Sequence, residues 1–455
     1  MNTIDMLDLI AEKVDKVGGK TLLVGGCVRD SLLGIQPKDF DVEVYGIPFN
    51  NLEKLLQSIP EVQKVNKVGE SFCVLKVGQD IDISVPRKDR KIGEGHKGFE
   101  VEEDPFADYK DAFRRRDFTI NAIGYNLITK CYIDCFGGVD DLQDRILRIV
   151  DKKTFQEDPL RVFRALQFVA RFDLKVAADT EHLLIAMRTQ LDELPKERVL
   201  EEFSKLFLKG CPSVGLELGR QIGCFRNFPY LDKLQNINQD PIHHPEGDVW
   251  KHTLQCVDFI AGMTLLLSDD ERFMLILAAL CHDFGKIETT EENDGKITSY
   301  QHDKVGEQMS IEFLQALGVD NYCLERIPML VKEHMFFRKF RVIKEKLDGQ
   351  KAVRRLAIRL YPATIEQLVT LMRADRMNRN NEENIQQIEK LLEVSKDLGV
   401  EKSKPEDFVT GKELIRLGFE PGKQFGVLIS KCNEMRDEGV SKEDAYVWLL
   451  LNKET

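Results

Sequence analysis

Residues 25–44 read GGCVRDSLLGIQPKDFDVEV, which puts a glycine pair (Gly25, Gly26), Arg29 and the aspartates Asp39 and Asp41 in one short run. The valine alternation of DFDVEVYG predicts a strand, and residues two apart on a strand share a face. Two carboxylates placed this way repel unless a cation sits between them. A hard divalent ion such as magnesium suits such oxygen ligands. A glycine turn running into a helix presents backbone N–H groups that suit a phosphate, and Arg29 would add positive charge at the same edge. These parts match two-metal phosphoryl or nucleotidyl transfer, in which one ion activates a hydroxyl and the other stabilises departing pyrophosphate. In DIDIS, Asp80 and Asp82 share a strand face, which makes Asp82 a candidate third carboxylate.

Two further clusters carry polar chemistry. In FRRRDFTINAIGYN (113–126), three arginines lead into an apolar segment. At least one of them should turn inward, so Arg116 is the candidate triphosphate contact, with Asp117 and Asn121 fixing its surroundings by hydrogen bonds. In EDPLRVFRALQF, Glu157 precedes Asp158, Arg161 and Arg164 at i,i+3 intervals, which brings their side chains together on one helix surface. A fixed carboxylate beside a guanidinium fork can complement a base edge that offers donors and acceptors. Asp158 and Pro159 also suit an N-cap and first helical position, and Thr154 with Glu157 could form a capping box one turn earlier.

Farther along, HHPEGDVWKHTLQ, LAALCHDFGK and ADRMNR contain His252, the adjacent His282–Asp283 pair and Asp375. An adjacent His-Asp on a helix, with a distant His and Asp, supplies mixed nitrogen and oxygen ligands. That set favours magnesium or a transition metal such as manganese or nickel over structural zinc. His302 and His334 could complete the shell of a second ion.

The elements that must position these groups differ along the chain. TLLVGG, DFDVEVYG, FCVLKVG and DIDISVP are strand candidates within residues 1–128. A polar segment from Arg87 to Asp111 reads as a long loop tied to function. Beyond about residue 150 strand signals almost vanish, and helical periods such as RVFRALQFVARF and KERVLEEFSKLFLKG take over. The chain has 455 residues and a net charge of −12, so a nucleic-acid partner must be met by local basic patches. Its 10 cysteines include no C-x-x-C pair, which suggests reduced thiols in a cytoplasmic protein. The N-terminal segment is an acidic amphipathic helix without the basic start and apolar run of a signal peptide. FMLILAALC is too short to span a membrane.

The order G-G-x-V-R-D, D-x-D and R-R-D-F-T-I-N-A resembles the class II tRNA nucleotidyltransferase and bacterial poly(A) polymerase superfamily. The resemblance runs on through IDCFGGVDDLQDRILRIV, EDPLRVFRALQF and KERVLEEFSKLF. TGKELIRLGFEPGKQFG looks like the tail of the CCA-adding branch. The resemblance implies that Asp39 and Asp41 hold catalytic magnesium, and that Glu157, Asp158 and Arg161 select CTP and then ATP without a template. The distant histidines and aspartates resemble the HD phosphohydrolase pattern, and some similar family members carry such a domain with activity on phosphoesters. The expectation is therefore an α+β protein, with a nucleotidyltransferase head (1–135), helical neck (136–235), helical body with an HD domain (236–390) and helical tail (391–455). It would complete the 3′-terminal CCA of tRNA from CTP and ATP, with neither membrane nor protein partner implied. The rival readings are a poly(A) polymerase or A-adding enzyme and, from another class, an HD phosphohydrolase whose head only binds RNA.

Overall fold

In the computed structural model, the described residues are 2–62, 64–68, 74–91, 99–336, 346–377 and 382–453. The chain forms two compact units: Met1–Leu194 with Gln221–Cys224, and Pro195–Arg220 with Phe225–Thr455.

The first unit contains nine head strands: β1 (Lys20–Val24), β2 (Phe40–Tyr45), β3 (Val65–Val68), β4 (Val74–Val77), β5 (Ile81–Ser84), β6 (Arg87–Lys91), β7 (Phe99–Glu103), β8 (Ile123–Asn126) and β9 (Tyr132–Asp134). Seven of them make one sheet in the order β3-β4-β5-β2-β1-β8-β9. β2 is parallel to β5 and antiparallel to β1. Alternation along β2 decides which face works. Val42 and Val44 enter a core with Leu7, Ile10, Val14, Leu52 and Leu56, from the helices Thr3–Lys16 and Phe49–Gln57. The intervening Asp41, Glu43 and Tyr45 therefore lie on the other face. Truncating a fully buried residue such as Leu52 to alanine should cost about 2–5 kcal/mol.

The expected long loop after β5 is in part a two-stranded antiparallel ribbon, β6 against β7, with Arg87 opposite Glu103 and Lys91 opposite Phe99. β6 carries a charged run, Arg87–Lys91, without strand alternation, which is why its pairing was not legible as a strand. Residues 92–98 of that segment lie outside the described residues.

The helix Arg161–Phe172 matches the expected period and buries Val162, Phe163, Ala165, Leu166 and Phe168. Its start differs from expectation. Asp158 Oδ1 accepts from Leu160 N, so the aspartate forms a local turn ahead of the helix. The preceding helix, Lys152–Gln156, is capped by Asp151 rather than by a Thr154–Glu157 box.

The second unit is mainly helical. Val249–Met263, Asp269–Cys281, His302–Leu317, Asn321–Glu333 and Ile365–Arg376 surround a shared core. Met274–Cys281 is apolar on every side because every side is buried. Strands do not vanish here: Thr290–Asn293 pairs with Lys296–Ser299. Asp294 and Gly295 both have positive φ at the turn, as a tight two-residue hairpin requires. The Asp-Gly pair carried that signal in the sequence. The C-terminal helices Gly411–Arg416, Gln424–Asp437 and Lys442–Leu451 enclose a core of Val409, Leu414, Phe419, Cys432, Ala445 and Leu449. Among the described residues, no helix is long and apolar enough to cross a membrane.

Candidate active sites

In the head, Asp41 is the second residue of β2, and Asp39 sits in the bend just before the strand. The two were expected on one strand; the backbone turns at Lys38–Asp39 because the sheet ladder begins only at Phe40. The parallel register places Asp82 of β5 directly beside Asp41, at a strand spacing of roughly 4.8 Å. Asp82 also pairs with Lys76 at 3.1 Å. Asp41 is open to solvent, yet crowding by protein raises its carboxyl pKa. Desolvation is the leading cause; Arg116 opposes it, and Asp82, Asp39 and Glu43 add repulsion. Bringing these acids together has an electrostatic cost that a bound cation would relieve.

The glycine turn closes over this edge. Gly25 has φ +74, and a Cβ there would lie 2.8 Å from Arg116 Nη1 and 3.9 Å from Asp41 Oδ2. Only glycine leaves room for the guanidinium beside the carboxylates. Gly26 begins the helix Gly26–Leu32. Glu43, two residues past Asp41, was not singled out by sequence reasoning. It is buried and accepts from Arg115 at 2.7 Å, Arg116 at 3.3 Å and the Tyr45 hydroxyl at 2.9 Å. Glu43 thus aims Arg116 along the strand toward Asp41. The signal was present as the next step of the D-x-D alternation.

Arg29 lies inside the fold. It is 4% exposed, donates to Asp30 through Nε (2.9 Å) and Nη2 (2.7 Å) and to Asn121 Oδ1, and lies over the Phe172 ring. Its short helix packs it against Phe168 and Phe172. Asn121 then donates to Asp117 Oδ1 at 2.9 Å, and Asp117 Oδ2 accepts from Arg164 Nε at 2.8 Å and Nη2 at 2.6 Å. The result is one continuous chain from Asp30 through Arg29, Asn121 and Asp117 to Arg164. Burial alone would raise the Asp117 pKa; Arg164 and the Asn121 and Phe118 N hydrogen bonds outweigh it and hold the carboxyl below its usual range. Arg161 donates to two backbone carbonyls, Thr154 O at 2.8 Å and Arg115 O at 2.7 Å. The expected stack of Asp158, Arg161 and Arg164 is therefore split: Arg164 turns to Asp117, and Arg161 is anchored by main chain.

The second unit gathers every histidine and aspartate expected of it. His252, His282, Asp283, His302, His334 and Asp375 are all buried. The His282–Asp283 pair lies in the turn just beyond the helix ending at Cys281, not on the helix. His252 Nε2 is 3.2 Å from Asp375 Oδ1 and 3.9 Å from Asp283 Oδ2. His282 Nε2 is 3.2 Å from Asp283 Oδ2, and His302 Nε2 is 3.6 Å from Asp283 Oδ1.

Each imidazole is oriented through its other nitrogen. His282, His302 and His334 donate Nδ1–H to the carbonyls of Ala279, Ser299 and Val331. His252 donates Nδ1–H to Glu246 at 2.6 Å. All four Nε2 atoms therefore face inward, the arrangement metal sites use. His302 Nε2 and His334 Nε2 meet at 3.2 Å, so two lone pairs oppose each other unless a cation lies between them. His282 Nε2 is buried without a hydrogen-bond partner. Burial, then the neighbouring His302 and His282, hold His334 down at about 3, so it is the neutral, ligating form. Asp283 is held well below the carboxylate range: burial opposes this, but His282 and Lys286 prevail. These residues suit a divalent metal. Glu246, His244, Lys286 and Arg376 had not been singled out. Glu246 is buried against two imidazoles, whose hydrogen bonds outweigh burial and hold it at about 2. A cavity of about 300 Å³ opens beside the cluster, with Lys286, Lys296, His243 and Arg376 in its lining.

Comparison with known proteins agrees with both halves. Family models match residues 21–148 (poly A polymerase head domain), 173–235 (probable RNA and SrmB-binding site of polymerase A) and 249–380 (HD domain). The multifunctional CCA protein of Nitrosococcus oceani is 34% identical over 372 residues, covering 80% of this chain and 86% of that protein. The chain belongs to the multifunctional CCA protein family. Its counterpart in Neisseria meningitidis serogroup B is 33% identical over 331 residues, covering 72% of this chain and 75% of that protein. Among solved structures, the CCA-adding enzyme of Bacillus stearothermophilus in complex with CTP superposes with a TM-score of 0.67 at 20% identity, over 100% of this chain and 98% of that one. The Thermotoga maritima CCA-adding enzyme complexed with tRNA gives 0.61 at 20% identity, over 98% and 95%. The α+β architecture of this CCA-family chain is thus shared along its whole length with CCA-adding enzymes.

Proposed function

We propose that this CCA-family protein adds and repairs the 3′-terminal CCA of tRNA from CTP and ATP, releasing pyrophosphate. The observation that carries the reading is the head constellation: Asp41 beside Asp82 in register, Asp39 at the strand mouth, and Arg116 held at the glycine turn by Glu43. In this reading Asp39 and Asp41, with Asp82 adjoining, hold magnesium, which when bound would activate the RNA 3′-hydroxyl and neutralise the leaving pyrophosphate. The Gly25–Gly26 turn and Arg116 receive the triphosphate. Arg29 adds its charge at that turn, Asp117 and Asn121 fix the surroundings of Arg116, and Arg164 joins the nucleotide-binding set through Asp117. Glu157, Asp158 and Arg161 form the nucleotide-selecting set; the support for Arg161 is a guanidinium already oriented by two carbonyls. We further read residues 1–135 as head, 136–235 as neck, 236–390 as body and 391–455 as tail, the last two gripping tRNA by shape and phosphates.

The body is read as a metal-dependent phosphohydrolase. His252, His282, Asp283 and Asp375 would hold the ion, with His302 and His334 completing the shell of a second ion. The opposed Nε2 atoms of His302 and His334 support this, and the Lys286 and Arg376 cations at the cavity suit a phosphoester. Magnesium, manganese and nickel are the ions to compare.

The test is to incubate the protein with tRNA lacking its 3′ end, offer each nucleotide separately and together, and sequence the products. Addition of CCA that stops after three nucleotides is the expected result. A long adenosine tract, or A alone on tRNA ending in CC, would replace this reading with its rivals.

A further inference from the structure

We propose that Cys256 is a thiolate ligand of the metal in the HD cluster, making that site a mixed nitrogen, oxygen and sulfur centre. The proposal rests on reading the cluster as a metal site and names a ligand that the His-Asp pattern does not include.

Three observations converge. Cys256 follows His252 by four residues on the helix Val249–Met263, so both project from one face, and both are buried. Cys256 Sγ lies 3.5 Å from His252 Nε2, and the Sγ, the His252 nitrogen and the His282 nitrogen all fall within 4.8 Å of one another. Ligand bonds of about 2.1 Å to nitrogen and about 2.3 Å to sulfur, at a tetrahedral angle, would set N and S about 3.6 Å apart. The observed spacing is therefore already that of two ligands sharing one ion. Independently, His282 Nε2 is fully buried with no hydrogen-bond partner and points into the same space.

Protonation fits the same assignment. His252 Nδ1 is committed to Glu246, which leaves Nε2 as the ring atom facing Cys256. Without metal the thiol has Ala374 O at 3.4 Å as its acceptor, with His252 Nε2 at 3.5 Å. On metal binding the S–H proton leaves to solvent, the metal–sulfur bond forms, and both His252 and Cys256 turn their lone pairs to the ion. A thiolate beside two imidazoles selects borderline-soft ions such as zinc, cobalt or nickel over magnesium. Asp283 and Asp375 remain as oxygen donors.

The experiment uses full-length protein stripped with a chelator and reloaded with cobalt(II). The parent should show visible ligand-field bands and a near-ultraviolet thiolate-to-cobalt charge-transfer band. Cys256→Ser should lose the charge-transfer band, keep the visible bands, and bind zinc at least about 100-fold more weakly, while magnesium binding changes far less. Far-ultraviolet circular dichroism checks that the variant is folded. The parent spectrum alone tests the assignment if it is not. A parent that takes up no cobalt overturns both the metal reading and this ligand. A parent that binds cobalt without a thiolate band, or a Cys256→Ser variant that retains the band, overturns Cys256 alone.

Discussion

Replacing Arg164 with methionine cuts the chain that runs from Asp30 to the helix Arg161–Phe172 at its most exposed link. Asp117 is buried and receives two bonds from Arg164, at 2.8 and 2.6 Å, plus one each from Asn121 and Phe118 N. Stripping one partner from a buried ion pair typically costs about 3–5 kcal/mol. The Arg164 side chain is 35% exposed, so solvent already screens part of the attraction, and two bonds to Asp117 survive. A loss of about 2–3 kcal/mol in the first unit is expected. The pH dependence supplies the sharper test. Asp117 is depressed in the folded parent, so it contributes stability above its unfolded value, near 4, and that contribution is lost as pH falls through the folded value. In Arg164→Met burial dominates, the Asp117 pKa rises, and protonation relieves the stranded charge. The cost of the substitution should therefore shrink on going from about pH 7 to about pH 4. Both tryptophans, Trp250 and Trp448, lie in the second unit. Hydrogen exchange of peptides around Asp117–Asn121, with urea unfolding followed by far-ultraviolet circular dichroism, is the suitable assay. A cost below about 0.5 kcal/mol, or one unchanged across that pH range, refutes the reasoning.

Other outcomes follow from the same geometry. Asp41→Ala should abolish nucleotide addition with tRNA binding nearly unchanged, as read by product sequencing and a filter-binding assay. Gly25→Ala forces a Cβ to 2.8 Å from Arg116 Nη1 at φ +74. It should cost about 1–2 kcal/mol and raise the nucleotide KM by displacing Arg116, measurable in steady-state kinetics. Arg161→Ala should relax discrimination between CTP, ATP and the other nucleotides by about 1–3 kcal/mol; uniformly slower addition would assign it to holding Thr154 and Arg115 alone. His282→Ala should lower bound metal in elemental analysis and remove phosphoester hydrolysis while nucleotide addition continues, with Asp41→Ala doing the reverse.

The sequence by itself determined the local elements and the chemical inventory. Valine alternation identified β2, and glycine before Cys27 and Val28 identified the turn into the first short head helix. The 3.6-residue period of RVFRALQFVARF identified the helix Arg161–Phe172 with its full length. These are signals carried within a few residues, as is the His-Asp pair. What only the tertiary structure decided is where long side chains spend their hydrogen bonds. The R-R-D-F and D-P-L-R motifs cannot say that Arg29 is buried on Phe172, that Arg164 reaches Asp117, or that Arg161 ends on two carbonyls, since a guanidinium selects among partners brought near by folding. Sheet register likewise decided that Asp82, distant in sequence, stands beside Asp41. The inward convergence of four Nε2 atoms required the carbonyls of Ala279, Ser299 and Val331 and the carboxylate of Glu246 to claim each Nδ1. Cys256 joined them because a helix turn set its sulfur next to His252, while other parts of the chain delivered His282, Asp283 and Asp375.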